Sequence, residues 1–102
     1  MQGNHNRMKK YELMTIANIK LGEEGARDLS NTIKDAVTDL SGKVLDSEFW
    51  GKRKFAYLVN NEEEGFYEVL QLEMPPAGLI QLKDKLNLQD NLVRYLIVTT
   101  GK

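Results

Sequence analysis

Cysteine is absent from this 102-residue chain, which excludes disulfides, thiol nucleophiles and thiolate metal ligands. That usage fits a reducing cytosol. Histidine occurs once, at His5, ahead of any periodic segment, so the body of the chain offers neither a Ser/His or Cys/His pair nor a multi-histidine metal site. No apolar run approaches the roughly 20 residues that span a bilayer, and no signal-peptide pattern opens the chain. A glycine-rich phosphate loop is also missing, since acids flank Gly22 and Gly25 and would repel a phosphate. No charge dominates: 14 Lys and Arg against 15 Asp and Glu leave a net charge of −1. A protein that holds nucleic acid unaided usually shows a broad basic surface, so an anionic partner here must meet a limited patch.

With 41% hydrophobic and 28% charged residues, the composition is that of a globular domain, and the length suffices for one core but not two. Residues 1–7 are polar and aperiodic and read as a flexible leader or an expression remnant; residues 8–102 read as a single domain. Charge is divided along this domain. Residues 23–48 carry seven acids against Arg27, Lys34 and Lys43, whereas cations collect at Lys9-Lys10, at residues 52–54, at Lys83 and Lys85, and at Arg94.

Periodicity gives the element order. Lys10 to Ala17 alternates with apolar residues on both faces, as a central strand does. Ala26, Leu29, Ile33, Val37 and Leu40 recur at three- and four-residue spacing, which predicts a helix over 22–40 with acids in its first turn and Gly42 at its end. Lys43 to Leu58 reads as a long strand interrupted by a bulge or bend at Gly51. A turn over 60–65, with Glu62, Glu63 and Glu64 solvated at its tip, leads into a strand over 66–74. Pro76 opens a short helix with Leu79, Leu82 and Leu86 buried, Asp90-Asn91 makes a turn, and a β-branched strand follows over 92–99. Strand, helix, strand, strand, helix, strand with right-handed crossovers closes as a ferredoxin-like split β-α-β sandwich. This α+β fold has four antiparallel strands with both helices on one face, and its other face is left without helices.

The run Lys52-Arg53-Lys54-Phe55-Ala56-Tyr57 puts three cations beside two aromatics in alternating sequence. It suits phosphate contacts next to an apolar surface. A charged edge strand, where lysines discourage aggregation, would look the same. Most strand aromatics, among them Tyr11, Phe66, Tyr67 and Tyr95, fit a half-buried surface; Trp50, beside Gly51 and the basic run, reads as an interface residue. The same scaffold serves RNA-recognition motifs, whose signature runs cation, Gly, aromatic, small, aromatic, aliphatic. Glu64-Gly65-Phe66-Tyr67-Glu68-Val69 departs from it at the leading cation and at the second aromatic, so this mode of base stacking is not expected.

Four landmarks in order resemble one family over roughly residues 8–99, that of bacterial small-subunit ribosomal protein six. They are Lys9-Lys10-Tyr11-Glu12; Gly51 followed by Arg53-Lys54-Phe55-Ala56-Tyr57; Gly65-Phe66-Tyr67 through Gln71-Leu72-Glu73-Met74-Pro75; and Asp90-Asn91-Leu92-Val93-Arg94. The resemblance implies a non-enzymatic structural component of the cytoplasmic ribosome, without cofactor, metal, membrane or small-molecule substrate. It implies binding to the central domain of small-subunit ribosomal RNA together with small-subunit protein eighteen. By position it marks Lys9, Lys10, Arg53, Lys54 and Arg94 as RNA-facing, and Lys52 joins them on charge. Trp50, Tyr67, Val69 and Leu96 are the expected apolar docking surface for the protein partner. The chain departs from some family members at Leu58, where they carry proline, and at Asn87, Gln89 and Val93, where they carry more arginine.

Two other classes fit the fold alone. A small-molecule-binding or regulatory domain of this kind would homodimerise through its sheet face. An acylphosphatase-type enzyme would need an arginine cradle on the first loop, which here reads Asn18-Ile19-Lys20-Leu21-Gly22.

Overall fold

The computed structural model describes residues 7–59 and 62–100, with side chains for 7–54 and 64–100. Strand β1 (Lys9–Asn18) leads through a single 3-10 turn (Ile19–Leu21) into helix α1 (Gly22–Asp39). Strands β2 (Lys43–Val59) and β3 (Glu62–Met74), helix α2 (Pro76–Asn87) and strand β4 (Leu92–Thr100) follow. The strands form one sheet in the order β2-β3-β1-β4, every neighbouring pair antiparallel. This is the ferredoxin-like arrangement that the periodicity predicts.

Alternation fixes the two sheet faces, because directly opposed residues share a face. Tyr11 opposes Leu72 and Leu13 opposes Leu70, and these side chains meet Ile33 and Val37 of α1 and Leu82 and Leu86 of α2 in the main core. A smaller cluster of Ala17, Ala26 and Phe66 lies toward the other end of β1, with Phe49 packed against it. Between the clusters Thr15 opposes Glu68, and both are buried. The Glu68 carboxylate lies 3.8 Å from the Lys34 ammonium of α1, which supplies a counter-charge where the helix covers the sheet.

Two expectations need correction. Gly42 does not supply the left-handed residue that ends α1; Ser41 does, with φ 71°. The Gly42 and Ser41 amides donate to the carbonyls of Val37 and Thr38, which is a Schellman motif with serine in the usual glycine place. Gly42 is needed for space. A Cβ there would lie 2.7 Å from Met74 Cβ and 2.9 Å from Val37 Cγ1, both on fully buried side chains. Gly42→Ala is therefore expected to destabilise the fold by about 1–3 kcal/mol through overpacking, read as a lower midpoint in urea at unchanged slope.

The second correction concerns the hairpin. Strand β3 begins at Glu62, not Phe66, and Val59 pairs with Glu62 across the reversal. Backbone pairing with β2 carries the glutamate-rich stretch into the ladder, overriding its low strand propensity. The turn expected over 60–65 thus loses its last four residues to the strand, while Asn60, Asn61 and the side chains of Glu62 and Glu63 lie outside the described residues, as do His5, Gly101 and Lys102.

Candidate protein and RNA interface

The face without helices is built row by row from the strand registers. One row reads Arg94, Ile16 and Tyr67 across β4, β1 and β3; the next reads Leu96, Met14, Val69 and Glu48. Below them come Val98, Glu12, Gln71 and Asp46, then Thr100, Lys10, Glu73 and Lys43.

Two of the three register shifts between β2 and β3 decide how β2 contributes. The register slips at Leu45 and again at Trp50, where Gly51 takes φ 82°. An extra residue in one strand bends it and leaves that residue unpaired. The second bulge keeps Trp50 on the helix-free face, where its ring stacks on Tyr67 with centroids 6.3 Å apart and planes 6° from parallel. It also resets the alternation of the basic run. Arg53, opposite Gly65, takes the helix-free face, whereas Lys52 opposes Phe66 and Lys54 opposes Glu64 on the other face. On that other face Phe49 stacks on Phe66, and the Arg27 guanidinium sits 4.2 Å over the Phe49 ring while pairing with Glu23 at 3.1 Å.

The expected docking residues share the helix-free face, with Trp50 and Leu96 on opposite edge strands of the sheet. Trp50 stacks on Tyr67, Val69 lies in the next row with Leu96, and Trp50 and Leu96 are 42% and 55% exposed. Sequence reasoning left out Val98, which is 43% exposed on the same face and opposes Glu12. Its alternation with Leu96 was the available signal. Glu48 ends the Leu96 row, and further along charged residues prevail: Glu12, Asp46 and Glu73 share the face with Lys10 and Lys43, and Gln71 donates to Glu12 at 3.4 Å.

The expected RNA-facing cations do not form one group. Arg53 and Arg94 lie near the end of the sheet where β1 finishes, with Lys52 and Lys54 beside them on β2. Lys9 and Lys10 start β1, and Lys10 opposes Glu73, which also opposes Lys43. Eight residues separate the Lys10 and Asn18 rows, or about 27 Å along an extended strand. Phe66 and Glu68, which align with the stacking aromatics of the RNA-recognition-motif signature, face the helices and have no access to the open face. Among the described residues there is no cluster of three or more metal-ligating side chains, and no helix is long and apolar enough to cross a membrane.

Comparison with known proteins places this arrangement in a family. A family model described as Ribosomal protein S6 matches residues 10–99. Small ribosomal subunit protein bS6 of Fusobacterium nucleatum is 34% identical over 91 residues, covering 89% of this chain and 97% of that protein. The bS6 protein of Symbiobacterium thermophilum is 37% identical over 91 residues, covering 89% and 96%. The crystal structure of 30S ribosomal protein S6 from Thermotoga maritima superposes with a TM-score of 0.87 at 25% identity, covering 92% of this chain and 89% of that one. The chain therefore belongs to the ribosomal protein S6 family, and is a structural, non-enzymatic protein of the small subunit of the cytoplasmic ribosome.

Proposed function

We propose that this protein binds the central domain of small-subunit ribosomal RNA as a pair with small-subunit protein eighteen. Its helix-free sheet face docks the protein, and cations bordering that face meet the RNA. The observation that carries the reading is the Trp50–Tyr67 stack, with exposed Leu96 on the same sheet face, which no helix among the described residues covers, and with Arg53 and Arg94 at its border. Aromatic residues beside arginine are the groups that dominate protein interfaces when desolvated. The near-zero net charge supports the pairing, because a small cationic border gives limited affinity for RNA without a second protein.

Neutralising phosphates releases counterions, so about four contacts would give a slope of about −3 in log affinity against log salt. The double substitution Arg53→Ala with Lys54→Ala is expected to reduce that slope by about 1.5 and to weaken binding about twentyfold near 0.15 M salt. Both side chains are exposed, so the melting temperature should stay within about 2 °C of the parent. The measurement is a salt titration of a labelled central-domain RNA fragment with protein eighteen present. A flat salt dependence in the parent protein, or a tight homodimer that ignores RNA, is the result that fails the reading.

A further inference from the structure

We infer that RNA phosphates are met at one end of the sheet only, that Lys20 is part of this contact surface, and that Lys9 and Lys10 are not. This deepens the function proposed above and rests on it.

Lys20 is presented by local structure that leaves it few other directions. The Asn18 side-chain oxygen accepts from the Lys20 amide at 2.8 Å and caps the 3-10 turn over Ile19–Leu21. Ile19 and Leu21, on either side, pack against the Ala17, Ala26 and Phe66 cluster. With both neighbours turned inward, Lys20 is exposed at the tip of the connection between β1 and α1. The Asn18 amide also donates to the Asn91 carbonyl at 2.8 Å, which ties that tip to the entry of β4.

The registers place this tip beside the cations of β2 and β4. Asn18 opposes Gly65, and Gly65 opposes Arg53 on its other side. Two strand spacings therefore separate the Asn18 and Arg53 backbones, about 10 Å. Arg94 opposes Ile16, two residues before Asn18. Lys20, Arg53 and Arg94 thus stand about 10–16 Å apart across one end of the sheet, so each is largely screened from the others at 0.15 M ionic strength, but a single phosphate chain laid along that end can meet all three.

Among the described side chains, two acids at this end already face a cation: Glu23 is paired with Arg27, and Glu64 stands opposite Lys54, while Arg53 stands opposite Gly65 and no described salt bridge engages Lys20. At the far end the balance differs. Lys10 shares its row with Glu73 and Lys43, and the adjoining row carries Glu12 and Asp46. At about 27 Å, more than three Debye lengths, Lys10 adds nothing to the potential where Arg53 lies. An anionic chain drawn to the Arg53 end would meet Glu48, Asp46 and Glu12 on the open face before reaching Lys10.

The test compares Lys20→Ala and Lys10→Ala in the salt titration described above, with the central-domain RNA fragment as probe and protein eighteen at saturation. Removing one phosphate contact lowers the slope by about 0.7–0.9, which corresponds to a four- to fivefold loss of affinity near 0.15 M salt. Lys20→Ala is expected to show this loss, and Lys10→Ala to leave slope and affinity unchanged. Lys20→Glu should weaken binding further still. If Lys20→Ala is silent while Arg53→Ala with Lys54→Ala is not, the assignment of Lys20 is wrong and the proposed function stands. If Lys10→Ala lowers the slope as Lys20→Ala does, the restriction to one end is wrong. A flat salt dependence in the parent protein removes both the assignment and the reading beneath it.

Discussion

On the pairing proposed above, Trp50→Ala is expected to weaken docking of small-subunit protein eighteen at least thirtyfold, a loss of about 2 kcal/mol, measured by calorimetric titration of the two proteins. The size follows from position. Trp50 lies over Tyr67 in a near-parallel stack and is 42% exposed, so a large flat surface is held rigid and ready before any partner arrives. A preformed aromatic anchor costs little ordering entropy on binding, which is why such residues carry a disproportionate share of interface energy. In the isolated protein the same substitution removes one aromatic pair at the surface, about 0.5–1.5 kcal/mol, so folding survives. Val98→Ala, further down the same face, is a useful comparison with an expected effect well under tenfold. Unchanged docking affinity in Trp50→Ala would remove the helix-free face as the site of protein contact.

Leu70→Ala is expected to have the largest effect on the fold itself, a loss of about 3–5 kcal/mol. Leu70 is fully buried, sits on the second strand of the sheet and opposes Leu13 of β1 on one side and Ser47 of β2 on the other. The helices above it hold Val37 and Leu82, also fully buried, so the walls of the cavity are backed by packed elements and cannot close over it. For a domain of this length each kcal/mol moves the melting temperature by about 4–8 °C, which puts the expected drop at 12 °C or more. A decrease below about 1 kcal/mol would show that the two layers slide together to fill the space.

The two predictions separate what was legible in the chain from what was not. Helix α1 could be read because Ala26, Ile33 and Val37 fall on one stripe and acids start it; helix α2 because Pro76 opens it and Leu82 and Leu86 return at a four-residue interval. The apolar residues of the helix-free face were readable from strand alternation, since Tyr67 and Val69 share one parity on β3. The chain did not reveal the left-handed place taken by Ser41, because a neighbouring glycine made the more usual choice look available. Only the approach of Met74 and Val37 explains why that glycine is used elsewhere.

Taken alone, the amino-acid order determined the elements, their succession and hence the topology, since hydrophobic period and turn chemistry are local properties. It also determined that net charge would be near zero and the cations divided among separate segments. The tertiary structure decided which cations are neighbours and which face each one occupies. Consecutive residues 52–54 alternate between two faces, and the bulge at Trp50 decides that Arg53 takes the open one, while Lys20 and Arg53, more than thirty positions apart, are brought to one sheet end by the pairing of β1, β3 and β2. Register is set by packing across the whole sheet, and a slip of one residue reverses every side chain beyond it. No window of sequence contains that information.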